Sequence, residues 1–123
     1  MESVRELIES FAGNPINVRL EVTQRILAIG PRAIPELVQG LSHHSWDVRQ
    51  DCANALAEFA APSTVPPLID ALSDPQTGVR YEAARALGKI GSTDAKKALE
   101  AAAVEAESDD YRYFLYDAIQ GKV

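Results

Sequence analysis

Apolar residues recur along this chain with the spacing of amphipathic helices. Four short segments each place apolar residues at positions i, i+3, i+4 and i+7, which form one stripe on a helix with 3.6 residues per turn. No segment alternates apolar and polar residues over a useful length, so no β-strand is predicted. The four segments are Val4-Leu7-Ile8-Phe11, Ile34-Leu37-Val38-Leu41, Val65-Leu68-Ile69-Leu72 and Ala95-Ala98-Leu99-Ala102.

A second amphipathic helix is predicted after each of these segments. It begins near a Val-Arg pair at Val18, Val48 and Val79, and a divergent copy begins at Tyr111, with separations of 30, 31 and 32 residues. One helix pair cannot bury its own apolar face, so the pairs are expected to stack. The pattern predicts an all-α superhelix of four helix-pair repeats, about eight helices, in one domain over residues 1–123. The predicted repeats span approximately residues 1–30, 31–61, 62–91 and 92–123.

Proline and glycine mark the helix ends. Pro35 and Pro66 fall in the first turn of the first helix of repeats 2 and 3, where a missing backbone N–H costs nothing. Gly30 and Gly91 follow the second helices of repeats 1 and 3, where a positive φ angle is wanted. Ala60 takes this place in repeat 2. The positions of these residues support the predicted boundaries of the helices in each pair.

Composition and charge restrict the functional classes. The net charge is −6, and no run of lysine or arginine occurs, which argues against a nucleic-acid partner. Cys52 is the single cysteine, so no intramolecular disulfide forms, as is usual in a reducing compartment. The N-terminus does not have the pattern of a signal peptide, and no apolar run approaches the roughly 20 residues of a membrane span. We therefore predict a cytoplasmic protein without a membrane partner.

Residues 74–91, DPQTGVRYEAARALGKIG, carry the most regular copy of the repeat. This segment resembles the motif D-P-x-x-x-V-R-x-x-A-A-x-A-L-G-x-I-G of HEAT repeats of the short phycobilisome-lyase type, and a weaker resemblance extends over the whole chain. The resemblance implies that the second helices line the concave side of the superhelix. It also implies an internal ladder of arginines, with an aspartate that caps a second helix. The ladder residues are Arg19, Arg49 and Arg80, with Arg112 as the fourth member and Asp74 as the cap.

The solvent-facing positions of the second helices form the first candidate binding surface. Solenoid proteins commonly bind partners along such a groove, although a merely solvated face gives the same pattern. We call these positions the second-helix face. Its members are Glu21, Gln24, Gln50, Asp51, Asn54, Glu58, Tyr81, Glu82, Arg85 and Lys89.

The turn before the second helix of repeat 2 is the most unusual local cluster. His43, His44 and Trp46 lie there, with Asp47 and Asp51 one helical turn apart just after them. Adjacent histidines rarely bind one ion together, and no His-x3-His or Cys-x2-Cys spacing occurs, so no metal site is predicted. A partner contact through Trp46 and an ordinary packed tryptophan remain as alternatives.

Repeat 4 is unusually aromatic. Tyr111, Tyr113, Phe114 and Tyr116 fall within six residues of the last second helix. Because no repeat follows, these side chains either cap the core or form a contact with a partner or with a second copy of the chain.

The sequence contains no glycine-rich phosphate loop, no nucleotide fingerprint and no catalytic constellation, so neither an enzyme nor a cofactor is predicted. The first functional hypothesis is a non-enzymatic protein–protein interaction module that binds its partner along the concave second-helix face. The alternative rests on the resemblance alone. It is a phycobilisome-associated accessory protein, similar to a chromophore lyase or to an antenna-breakdown factor, with a phycobiliprotein as partner.

Overall fold

The computed structural model describes residues 2–123, which form eight α-helices and no β-strand. Each repeat consists of a first helix and a second helix, so the predicted superhelix of four helix pairs is confirmed. The first helices of repeats 1 to 3 are short, whereas the second helices of these repeats each contain 14 residues. The helices are α1 (Val4–Glu9), α2 (Ile16–Ile29), α3 (Ile34–Gly40), α4 (Trp46–Phe59), α5 (Val65–Ala71), α6 (Thr77–Ile90), α7 (Thr93–Glu105) and α8 (Asp109–Ile119).

The chain turns sharply between repeats at residues with special backbone conformations. Gly91 (φ 66°) and Ala60 (φ 49°) end α6 and α4 in the left-handed region, and Gly30 (φ 95°) also has a positive φ. Short 3₁₀ turns then lead into α3 and α5, each of which begins with a proline in its first turn. The prolines, the glycines and Ala60 therefore lie at the observed helix ends, as the sequence predicted.

The core lies between the helices of each pair and between successive pairs. Helices α2, α4, α6 and α8 pack against one another in chain order, and each first helix packs against the second helix of its own repeat. The stripe residues of the first helices and most apolar residues of the second helices are buried or partly buried in this interface. The largest side chains in the core, each less than 2% exposed, include Phe11, Ile26, Leu37, Leu56, Leu68, Leu87, Leu99 and Leu115.

Small residues allow two close helix contacts. A Cβ atom at Gly40 of α3 would lie 2.3 Å from Sγ of Cys52 in α4, so the thiol occupies the space that the glycine leaves. Cys52 is fully buried, and this burial raises the pKa of its thiol, which makes it unreactive. A Cβ atom at Gly88 of α6 would lie 2.7 Å from the carbonyl oxygen of Ala118 in α8. These contacts fix how closely neighbouring helices approach.

Candidate binding surfaces

Arginine–aspartate pairs cross the first two junctions between repeats. Arg19 in α2 donates to both carboxylate oxygens of Asp51 in α4, at 2.7 and 3.0 Å, and this hydrogen bonding raises the pKa of Arg19. Arg49 in α4 donates to both oxygens of Asp74, at 2.8 and 3.2 Å, and to the backbone carbonyl of His43 at 2.9 Å. All four charged side chains are at most 17% exposed, so the pairs are internal parts of the fold.

A second contact reinforces the first junction. The backbone N–H of Gly13, in the turn of repeat 1, donates to the carboxylate of Asp47 at 3.1 Å. The hydroxyl of Ser45 also donates to Asp47, and these hydrogen bonds hold the pKa of Asp47 below its usual value. Asp47 therefore joins two turns in its ionised form.

The third junction is different, because Arg80 forms no ion pair with a carboxylate within residues 2–123. Its guanidinium donates to the backbone carbonyl of Asp74 at 2.8 Å and to the hydroxyl of Thr77 at 3.1 Å. It lies 5.7 Å from the ring centroid of Tyr111. Tyr81 packs against Tyr111 and Phe114, with ring centroids 5.2 and 4.6 Å apart. Aromatic packing thus takes the place of the ion pair.

Among residues 2–123, the fourth member of the ladder has hydrogen-bond partners in its own repeat alone. Arg112 donates to the backbone carbonyl of Ala106 at 2.6 Å and forms an ion pair with Asp109 at 2.7 Å. Like Arg49 and Arg80, it donates to a backbone carbonyl six residues before it, between the two helices of its repeat. These three arginines therefore share the role of connecting the inter-helix turn to the second helix.

The charged residues of the second-helix face are mostly paired with one another. Asn54 and Arg85 both donate to Glu82, at 3.1 and 3.0 Å. Arg85 and Lys89 also lie 3.3 and 3.6 Å from Glu58. Three predicted members have other surroundings: Asp51 is buried in the ladder, Gln50 fills the space beside Gly78, and Glu21 pairs with Arg25 at 2.9 Å.

The turn that holds His43, His44 and Trp46 has an internal part and an exposed part. Nδ1 of His43 accepts from the backbone N–H of Ser45 at 3.0 Å, and its Nε2 lies 3.0 Å from a carboxylate oxygen of Glu9. His44 stacks on His43 at the protein surface, and Trp46 is 48% exposed. Within residues 2–123, no group of three histidine, cysteine or acidic side chains could hold a metal ion.

The aromatic cluster of repeat 4 is divided between two faces of α8. Tyr111 and Phe114 face repeat 3, as their contacts with Tyr81 show. Tyr113 and Tyr116 are 66% and 45% exposed. The residues that correspond to Tyr116 in the earlier repeats are Thr23, Ala53 and Ala84, which are all buried.

Sequence reasoning missed three exposed apolar side chains. Val104 of α7 is 81% exposed. Tyr113 and Tyr116, about one turn apart on α8, define a surface of repeat 4 that we call the end face. Ile16 and Leu20 of α2, 58% and 56% exposed, lie one turn apart. The alignment of the repeats offered one signal for the exposure of Leu20, because this residue corresponds to the polar Gln50 in repeat 2.

Comparison with known proteins agrees with this geometry. The family model for HEAT repeats matches residues 34–120, which is more than half of the chain. The chain belongs to the HEAT-repeat family. No curated protein matches it. No helix of this HEAT-repeat protein within residues 2–123 combines the length and the apolar character needed to cross a membrane.

Solved structures support the more specific resemblance. The HEAT-repeat chain is similar to a chain in the complex of CpcE and CpcF of phycocyanin lyase from Nostoc sp. PCC7120, with 26% identity and a TM-score of 0.79. That match covers 97% of this chain and 77% of the other. An engineered protein is similar in fold, with 23% identity, a TM-score of 0.60, and coverage of 99% of this chain and 63% of the other. The predicted resemblance to HEAT repeats of the phycobilisome-lyase type is thus confirmed.

Proposed function

We propose that this HEAT-repeat protein is a non-catalytic interaction module that binds a partner protein, with the end face as the centre of the contact. The observation that carries the proposal is the exposure of Tyr113 and Tyr116, since the earlier repeats have small, buried residues at the position of Tyr116. Two exposed aromatic side chains about one turn apart on a helix favour association, because such apolar surface is unfavourable in water.

The chemistry of the end face suits a protein partner. Tyrosine is enriched at the energetic centres of interfaces, because it buries a large apolar ring and keeps a hydroxyl for hydrogen bonding. The exposed acids Asp109, Asp110 and Asp117 belong to the same helix as Tyr113 and Tyr116. A partner with an apolar centre and basic residues around it would complement this helix.

The second-helix face contributes a polar border in this proposal. Its charges are largely neutralised by one another, so a partner gains less by pairing with them than it would with isolated charges. Among the charged members that pair with one another, Glu58 and Lys89 are the most exposed, and they test the concave-face hypothesis. Asp51 does not, because a change there breaks the buried pair with Arg19 and unfolds the first junction.

The proposal is tested by affinity purification from the native cell with three baits: the wild type, the double variant Tyr113→Ser/Tyr116→Ser, and Glu58→Gln/Lys89→Gln. We expect the tyrosine variant to lose the specific partner while its circular dichroism spectrum and melting temperature stay close to those of the wild type. Loss of the partner with the Glu58/Lys89 variant alone would indicate that the contact lies on the second-helix face. Retention with both variants would refute both surfaces.

Sedimentation separates a second copy of the chain from a different partner. If the end face forms a homodimer, the wild type sediments as a dimer at micromolar concentration and the tyrosine variant sediments as a monomer. A wild type that is monomeric at all concentrations leaves a different protein as the partner.

A second candidate function rests on the similarity to phycocyanin lyase. The matched structure is a complex of two named proteins, CpcE and CpcF, so a paired subunit with a role in chromophore attachment to a phycobiliprotein is the alternative. Mixing the protein, alone and with candidate HEAT-repeat partners, with a bilin and an apo-phycobiliprotein tests it. Covalently attached colour would support this function, and its absence in every mixture would favour the interaction module.

A further inference from the structure

A cleft of about 810 Å³ opens at the third junction, between repeats 3 and 4. Such a volume lies within the range of small-molecule binding sites, roughly 300–1,000 Å³. One wall is apolar and is formed by Ile69, Leu72, Ala98 and Ala102, while Arg80 and Tyr111 supply polar groups. We call it the Arg80 cleft.

The positive charge in the Arg80 cleft lacks the partner that its counterparts have. Arg19 and Arg49 each hold a carboxylate in a two-point contact, whereas Arg80 contacts the carbonyl of Asp74, the hydroxyl of Thr77 and the ring of Tyr111. Within residues 2–123, no carboxylate oxygen lies in ion-pair distance of its guanidinium. A half-buried guanidinium binds carboxylates strongly, since its planar donors match the two oxygens.

A second polar group at the cleft is also without a partner. Tyr111 is only 8% exposed, it lines the cleft, and its buried hydroxyl makes no hydrogen bond in the part of the chain that the structure describes. Such an unsatisfied group destabilises the folded protein. The hydroxyl is shielded from solvent, so a ligand reaches it only after a small side-chain rotation, and Arg80 makes the primary contact.

We propose that the Arg80 cleft binds a carboxylate group carried on an apolar stem, with Arg80 as the main donor and Tyr111 as a second donor. The carboxylate takes the place that Asp51 and Asp74 occupy at the first two junctions. The stem packs on the apolar wall, where burial of its apolar surface favours binding. The inference does not rest on the end face, because none of the residues that define that face lines the cleft.

Acidic residues at the rim set the strength of this binding. Glu105 and Glu107 line the cleft, are exposed, and form no ion pair among residues 2–123. Their repulsion of a carboxylate is weakened by solvent and salt, whereas the contact with half-buried Arg80 is less screened. Removing these acids should therefore tighten carboxylate binding, and most strongly at low ionic strength.

The test is a heteronuclear NMR titration that follows the Nε–H of Arg80 and the backbone amides around the cleft. The small probes are hexanoate and its neutral counterpart hexanamide; the peptide probes are acetyl-Leu-Glu-Leu-amide and the same peptide with glutamine. We expect saturable shifts with the acids and affinities lower by about tenfold or more for the neutral probes, as a lost charge-assisted hydrogen bond implies. Tighter binding of hexanoate would indicate a free organic acid, and tighter binding of the peptide a segment of a protein.

Variants make the test specific for the cleft. Arg80→Gln should weaken hexanoate binding by about tenfold or more and Tyr111→Phe by a few-fold, whereas Arg32→Gln, an exposed site outside the cleft, should leave it unchanged. Glu105→Gln/Glu107→Gln should tighten it, and these exposed changes do not disturb folding. Equal binding of acid and amide, undiminished binding by folded Arg80→Gln, or no gain from the rim variant at low salt would overturn the proposal.

Discussion

The three junctions between successive repeats are held together in two different ways. At the first two, an arginine of one second helix reaches a nearly buried aspartate of the next repeat. At the third, the corresponding Arg80 meets the ring of Tyr111, and aromatic side chains fill the interface. The same repeat position therefore serves internal pairing in one half of the molecule and lines an open cleft in the other.

This difference shows how a repeat protein can gain a binding site without a change of fold. Arg49, Arg80 and Arg112 each contact the turn of their own repeat, whether or not an aspartate of another repeat is present. The aspartate belongs to the next repeat, so its absence leaves the contact between the arginine and the turn of its own repeat intact. Where it is absent, a guanidinium remains that can bind an external acid.

The largest effect is expected at the first junction. Arg19→Met leaves the carboxylate of Asp51 buried without its partner, and the free energy of unfolding should fall by about 3 kcal/mol. Denaturant unfolding measures this loss. The double variant Arg19→Met/Asp51→Leu should recover most of it, and Arg80→Met should cost far less. Equal losses at Arg19 and Arg80 would contradict the distinction between the junctions.

An intermediate effect is expected from Gly88→Ala at the third junction. The new Cβ atom meets the backbone of Ala118, which cannot move without shifting α8, so about 2 kcal/mol of stability should be lost despite the better helix propensity of alanine. Gly78→Ala in the same helix is the matched control, because its Cβ meets only the flexible end of Gln50. Thermal unfolding should separate the two variants; similar melting temperatures would refute the close contact.

The smallest effect is a gain from Tyr111→Phe. Removing the unsatisfied hydroxyl should stabilise the protein by about 1 kcal/mol at neutral pH. Burial raises the pKa of Tyr111 above its unfolded value of about 10, so the folded state disfavours its ionised form. Below about pH 10, the contribution of this group to the stability of the wild type does not change with pH, and above that pH it decreases. The stability advantage of the variant over the wild type should therefore grow above about pH 10. Denaturant titrations at pH 7 and pH 10.5 measure both; a loss of stability at pH 7 would show that the hydroxyl has a partner.

Much of the fold could be predicted because helix signals are local. The apolar stripes, Pro35 and Pro66, and the caps at Ala60 and Gly91 act within a few residues, so the sequence marks each helix and each turn. The binding surfaces were harder to predict. Four aromatic residues of repeat 4 stand close in sequence, yet their exposure depends on which side of α8 faces repeat 3.

The number of repeats, their helix pairs and the recurrence of the arginines can be read from the sequence, because they follow from periodicity and short-range chemistry. The packing of the repeats was needed to show that Asp51 is buried, that Leu20 is exposed, and that Arg80 forms no ion pair within residues 2–123. The physical reason is that these properties depend on contacts between different repeats, and the side chains that meet there are about 25 to 32 residues apart in the chain.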